Sequence, residues 1–119
     1  MSDDSRLDIG RAQFERVYPM SANAEPSDWE RIMYEDLFGA IYQRPGLEMR
    51  DRRLLIIGVA AAQGNDNILR LQMRAGLAKG DLRTEDLEEM TIFLTQYVGY
   101  PLGTKVRAAA HDVLKALAE

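Results

Sequence analysis

The sequence has 119 residues, of which 46% are hydrophobic and 29% charged, with one histidine and no cysteine. This length suits one compact domain, and the lack of cysteine excludes disulfides, thiolate metal sites and cysteine-based redox or nucleophilic chemistry. The formal charge of −4 argues against nucleic-acid binding, and the longest apolar run, Leu54–Ala62, is too short to span a bilayer. We expect no metal and no other cofactor. The acidic start Met1–Asp4 is the reverse of a signal peptide, which predicts a cytoplasmic protein.

The first 26 residues are predicted to form a tail, a short helix and a link. Met1–Ser5 is interpreted as a frayed tail, and Pro19–Pro26 as an irregular link. Between them, helical spacing relates four apolar residues: Leu7, Phe14, Val17 and Tyr18.

Residues 27–119 are predicted to form one helical domain. Ser27 and Glu30 have the spacing of a capping box. A stripe of apolar residues follows at helical intervals until Arg44–Gly46: Trp29, Ile32, Met33, Leu37 and Ile41. The next helix covers about 48–63 and is apolar on all sides, so burial all round is expected. A buried strand is the alternative for 54–59, but no turn signal precedes the alanines that follow.

Three more helices complete the domain. Asn65 or Asp66 caps a helix that ends at Gly80, Thr84 caps the next, and Pro101 suits the first turn of the last. The fold is therefore predicted to be all-α, with about six helices. Two faces of the fifth helix are apolar, and a domain of this size does not easily bury both, so we expect a homo-oligomer.

Five segments, in order, resemble the carboxymuconolactone decarboxylase family: Phe38–Leu47, Arg50–Leu54, Ala60–Gly64, Arg74–Gly80 and Tyr97–Pro101. They extend over roughly residues 30–115. The resemblance implies an all-α domain that assembles into trimers or hexamers. It also implies one of two chemistries, which are cofactor-free decarboxylation of a carboxylated lactone in aromatic-acid catabolism and thiol peroxidase activity through a Cys-x-x-Cys pair. The second is excluded because the chain has no cysteine.

The family's acid and base, in Glu-x-x-x-His spacing, correspond here to Ile68 and Gln72, neither of which can move a proton. A third position, often polar or histidine in the family, is Phe93. Gln72 is the catalytic candidate that would orient a substrate carbonyl, with Ile68 and Phe93 beside the substrate. The alternative is a structural Gln72 whose amide is satisfied by backbone or by a neighbouring subunit.

Arginine and tyrosine residues supply the remaining candidates for binding an anionic substrate. Arg44 or Arg50 would hold a substrate carboxylate. The alternative is that Arg50, Arg52 and Arg53 pair with the acidic residues Glu85, Asp86, Glu88 and Glu89, or solvate a helix end. The hydroxyl groups of Tyr97 and Tyr100 would donate to a developing oxyanion, although Tyr97 also fits the apolar stripe of a core. Tyr42 has the same two interpretations.

His111 is the one imidazole available as a base, but helical spacing places it on a polar face of the last helix. The alternative is therefore a solvated surface histidine.

Together these features predict a cofactor-independent, decarboxylase-like lyase that acts on a small carboxylated lactone or another enolisable acid. A non-redox isomerase, cyclase or hydratase of a specialised pathway is one alternative. A catalytically silent binding or assembly protein with the same fold is the other. A small-molecule carboxylate and further copies of the chain are the expected partners, without nucleic acid or membrane.

Overall fold

Residues 3–119 are described by a computed structural model, with side chains from residue 5 onward, and every regular element in that range is helical. The elements are α1 (Asp3–Val17), α2 (Asp28–Ile32), which continues as a π-helix (Met33–Ile41), α3 (Met49–Gln63), α4 (Asp66–Lys79), α5 (Thr84–Val98) and α6 (Tyr100–Ala118). The predicted all-α fold is confirmed. The chain divides into two compact units, one ending at Glu48 and the other comprising Met49–Glu119. The boundary expected after residue 26 stays a prediction.

In the first unit, α1 packs closely against the π-helix through two glycines. A Cβ on Gly10 would collide with the carbonyl oxygen of Tyr34, and one on Gly39 would lie 2.5 Å from the carbonyl oxygen of Arg6. The rings of Phe14 and Phe38 meet edge to face with centroids 5.4 Å apart. Small residues at the two crossing points therefore let an aromatic core form between the helices.

The apolar stripe predicted for residues 29–41 is wrong, because it faces solvent. Trp29, Ile32, Leu37 and Ile41 are exposed, whereas Tyr34 and Phe38 are buried. For Leu37 and Ile41, which lie in the π-helix, the cause is the helical pitch. The backbone N–H of Tyr42 donates to the carbonyl of Leu37, five residues back, so a turn takes more residues than in an α-helix. Side chains four to five positions apart then align, and a period of 3.6 selects the wrong face.

The predicted frayed tail over Met1–Ser5 is wrong where the structure describes it, because α1 already begins at Asp3. Met1 and Ser2 lie outside the described residues.

Most helix ends in the second unit follow the predicted signals. The side chain of Asn65 accepts a hydrogen bond from the N–H of Ile68 (3.1 Å), and Gly80 ends α4 with a φ of +81°. Thr84 is not the N-cap of α5, as predicted, but its first helical residue. Arg83 holds the cap position, and its backbone N–H donates to the Asp86 carboxylate (2.8 Å). The Asp86 carboxylate therefore satisfies the backbone N–H of Arg83, and α5 does not need the Thr84 hydroxyl as a cap.

The core of the second unit lies where α3, α4, α5 and α6 meet. Its buried members include Ile57, Leu69, Met73, Leu87 and Val106. The prediction that α3 is buried all round is wrong, since Leu55 and Val59 are 59% and 57% exposed. One side of α3 packs against the core, whereas the other side is apolar and exposed to solvent. Among the described residues, no helix combines the length and hydrophobicity needed to cross a membrane.

Candidate functional site

A groove of about 350 Å³ between α3 and α5 contains two of the predicted substrate-binding residues, Arg50 and Phe93. We call it the α3–α5 groove. Arg50 and Leu54 are one turn apart on α3, and the α5 residues repeat at helical spacing, so both sets face the same space. The complete lining is Arg50, Leu54, Asp86, Glu89, Met90, Phe93 and Leu94. The walls are thus mainly apolar, with charged groups at Arg50, Asp86 and Glu89, and the volume suits a small molecule.

Arg50 is held from one side, which leaves part of its guanidinium group free for a ligand. Its Nη1 donates to the Asp86 carboxylate (2.8 Å) and to the backbone carbonyl of Asp81 (2.9 Å). Within residues 3–119, neither Nε nor Nη2 of Arg50 forms a hydrogen bond, and the side chain is 46% exposed. A carboxylate or enolate oxygen can therefore reach two donors in the geometry that arginine uses for bidentate binding.

The charges of Arg50 and Asp86 stabilise each other. The Arg50 guanidinium and the N–H of Arg83 hold the pKa of the Asp86 carboxyl well below its usual range. In turn, Asp86 raises the pKa of Arg50. Asp86 is therefore ionised at neutral pH and does not serve as a proton donor. Its place in the site is to position Arg50.

Arg53, on α3 between the groove residues Arg50 and Leu54, is fully buried, so the expectation that it solvates a helix end is wrong. Its Nε and Nη2 donate to one carboxylate oxygen of Asp81 (3.2 and 3.0 Å), and its Nη1 donates to Oε1 of Gln72 (2.7 Å). The signal for this burial was present in the sequence, because Arg53 precedes the buried Ile57 by one helical turn. A buried amide at Gln72 also required a partner, and Arg53 supplies it.

The structure places Gln72 and Tyr97 in different surroundings. Gln72 is 2% exposed and enclosed with Arg53, so its carbonyl oxygen is already engaged. Tyr97 is 79% exposed, and its ring contacts Phe93 with centroids 5.3 Å apart. The core-aromatic interpretation of Tyr97 is therefore wrong. Leu87, near the start of α5, is buried in the core, whereas Tyr97, near the end of the same helix, lies outside it.

The other candidates are spread over the chain. Tyr42 and Arg44 belong to the first unit, where Tyr42 stacks on Phe38 with centroids 4.8 Å apart and Arg44 is exposed in the turn. Ile68 packs against the core of the second unit, and Tyr100 is exposed. His111 is exposed on α6, as the polar-face interpretation expected, and lines a separate cleft between α5 and α6. Arg50 and Phe93 are therefore the predicted residues that share the α3–α5 groove.

Comparison with known proteins agrees with this all-helical fold. Residues 29–112 match the sequence profile of the Carboxymuconolactone decarboxylase family. A curated relative, 4-carboxymuconolactone decarboxylase from Acinetobacter baylyi, is 29% identical over 90 residues. That alignment covers 76% of this chain and 66% of the relative, so it spans slightly less than two thirds of the relative's length. On the extent of the profile match, the chain belongs to the carboxymuconolactone decarboxylase family.

Proposed function

We propose that this protein is a cofactor-independent, decarboxylase-like lyase that acts on a small carboxylated lactone or another enolisable acid in the α3–α5 groove. One observation carries the proposal: the ionised, half-exposed guanidinium of Arg50 lies at the edge of an otherwise largely apolar groove. Family membership and the name of the Acinetobacter relative support the reaction type.

The groove has the parts that decarboxylation requires. The bond between the α-carbon and the carboxylate breaks and releases carbon dioxide, and its electron pair moves into the adjacent carbonyl to form an enolate. Free N–H groups on Arg50 stabilise the enolate oxygen, where the negative charge collects. Leu54, Phe93 and Leu94 surround the departing carboxylate with apolar surface, which removes its hydration and favours loss of its charge.

The enolate carbon must then take up a proton. Glu89 is the carboxyl group of the groove that Arg50 does not engage, and it is exposed to solvent. We assign water in the open groove as the proton source, with the Glu89 carboxylate beside it to orient that water. In this scheme Arg50 replaces Gln72 and Tyr97 as the oxyanion-stabilising group, because Gln72 is enclosed with Arg53 and Tyr97 projects into solvent.

The experiment is a panel of small carboxylated lactones and 3-oxo acids, each assayed for carbon dioxide release and for thermal stabilisation of the protein. Arg50→Gln removes the donors, Arg50→Lys keeps the charge without the fork, and Arg16→Gln is a matched control on an exposed part of α1. Loss of Arg50 should lower kcat/KM by roughly 100-fold or more, with Arg16→Gln near wild type. Equal turnover by wild type and Arg50→Gln would overturn the proposed site.

A catalytically silent binding protein is the second candidate, and the enclosed Gln72 favours it. The family's acid and base positions are here an apolar Ile68 and a glutamine already bound to Arg53, so the expected proton relay is missing. Under this hypothesis, panel compounds raise the melting temperature through Arg50 but are recovered unchanged. An isomerase or cyclase would instead give a product of the same mass, with no carbon dioxide.

We also propose that the chain self-associates, in line with the trimers or hexamers implied by the family resemblance. Supporting this, five large apolar or aromatic side chains of α5 and α6 are exposed: Ile92, Phe93, Tyr97, Tyr100 and Leu117. Light scattering coupled to gel filtration gives the mass directly. A monomer for wild type would contradict the proposal, and a smaller assembly for Phe93→Glu/Tyr97→Glu would support it.

A further inference from the structure

A second cleft, of about 210 Å³, lies between α5 and α6, and we call it the α5–α6 cleft. Four polar residues border it: Thr91, whose hydroxyl donates to the backbone carbonyl of Leu87, and three residues with ionisable side chains, Glu88, Arg107 and His111. Its apolar lining includes Ile92, Ala110 and Leu114. This volume is below the range of about 300–1,000 Å³ that is usual for drug-sized ligands, so the cleft suits a smaller molecule.

Helix periodicity explains how these groups come together. Arg107 and His111 are four residues apart on α6, so their side chains lie on the same face one turn apart. Across the cleft, Glu88 and Ile92 have the same spacing on α5. The cleft therefore has two nitrogen-bearing groups on one wall and a carboxylate on the other, with apolar surface between them.

The three ionisable side chains do not contribute polar contacts to the stability of the fold. Within residues 3–119, Glu88, Arg107 and His111 form no ion pair and no hydrogen bond through their side chains, although nearby arginines such as Arg50 and Arg83 are paired with Asp86. Polar side chains without protein partners that border one concave space are available to bind a ligand.

We propose that the α5–α6 cleft binds a small carboxylate that carries a hydroxyl or ammonium donor at its other end. The carboxylate would pair with the guanidinium of Arg107 and accept a hydrogen bond from His111. The donor at the far end would meet the carboxylate of Glu88, and the short carbon chain would contact Ile92 and Leu114. A simple carboxylate without such a donor would leave Glu88 unpaired and would add a second negative charge to the cleft. The cleft is therefore expected to prefer ligands that carry the donor over simple anions.

This site is distinct from the α3–α5 groove, and it does not depend on the proposed lyase activity. The two openings lie on different sides of α5, since Glu88 and Ile92 border one and Glu89 and Phe93 border the other. The inference is therefore tested by a measurement that is independent of the lyase assay.

The test uses the one histidine of the chain as a built-in reporter. Its imidazole protons are followed by NMR at constant pH while 4-hydroxybutyrate, 4-aminobutyrate or butyrate is added, with sodium chloride as the ionic-strength control. These probes have no aromatic protons that would obscure the signals. Each has roughly six or seven non-hydrogen atoms, which suits a cleft of this size. For ligands this small, a dissociation constant on the order of 1 mM is expected.

The expected result is a saturable His111 shift with the hydroxy or amino acid and at least a roughly tenfold weaker response to butyrate, since a charge-assisted hydrogen bond is lost. Arg107→Gln should weaken binding by a similar factor, and Glu88→Gln should reduce the preference over butyrate. Arg50→Gln, in the other groove, should leave the titration unchanged. Linear shifts that sodium chloride reproduces would overturn the proposal, as would saturable binding that survives Arg107→Gln.

Discussion

Replacement of the buried arginine by an apolar residue of similar length, Arg53→Met, should destabilise the second unit strongly. Arg53 is completely buried, and its guanidinium donates to the Asp81 carboxylate through Nε and Nη2 and to Gln72 through Nη1. Methionine fills much of the same space but offers no donor. The change therefore removes the Arg53 donors from a nearly buried carboxylate and from a buried amide.

The magnitude follows from what is left behind. Removing one partner of a buried ion pair costs about 3–5 kcal/mol, and an unsatisfied buried amide costs about 1–3 kcal/mol. Asp81 keeps 11% side-chain exposure, so water partly compensates it, and we expect a total of about 4 kcal/mol. A chain of this length has a free energy of unfolding of roughly 6–18 kcal/mol, so the loss is a large fraction of it.

Urea unfolding followed by circular dichroism at fixed protein concentration measures the effect. Arg74→Met, on the exposed face of α4, is the matched control and should change the free energy of unfolding by less than about 0.5 kcal/mol. In the double variant Arg53→Met/Gln72→Met the amide penalty disappears, so a coupling of about 1–2 kcal/mol is expected. A loss below about 1 kcal/mol for Arg53→Met would refute the reasoning, because Arg53 could not then be paired as described.

Three further outcomes are expected. Because the pKa of Asp86 is lowered in the folded protein, its ionised form stabilises the fold fully above about pH 4, the ordinary pKa range of a carboxyl group. This stabilisation is lost as the pH falls toward the lowered pKa of Asp86. The stability difference between wild type and Asp86→Asn should thus shrink in acid, as measured by urea unfolding across pH. Gly103→Ala should cost about 1–3 kcal/mol because its Cβ would overlap the Thr95 side chain. Thr95→Ala should recover only part of this loss in thermal melts, because the Thr95 Cβ itself would lie 2.8 Å from the added Cβ. Ser27→Ala should cost about 1 kcal/mol in urea unfolding through the lost cap, whereas no loss would contradict the capping box.

Local signals in the sequence identified most of the helices. The Ser27–Glu30 capping box, the Asn65 cap, the Gly80 stop and the early Pro101 all occur in the structure as predicted. Such signals act within a few residues, so a linear pattern contains the interactions that decide them. Errors arose where the physics was not local. The π-helical pitch of Met33–Ile41 rotated the apolar face, and no periodicity of 3.6 could show it.

The site was only partly predictable for the same reason. Charge and family position singled out Arg50 and Phe93, and the structure brings both to one groove. Which acid would hold Arg50 remained open among residues 85–89, because the choice of Asp86 depends on how α3 packs against α5. Gln72 was expected to be buried and is, but its partner on a different helix was not identified.

The sequence by itself therefore determined that this chain is all-helical, that it has no thiol chemistry and that it resembles the carboxymuconolactone decarboxylase family. Composition, caps and helical spacing are properties of neighbouring residues, and they can be evaluated without a partner. The tertiary structure decided that Gln72 is bound to Arg53, that Arg50 faces a groove and that His111 borders a second cleft. These features depend on which helix faces pack together, because a buried polar group is stable only where residues distant in sequence satisfy it.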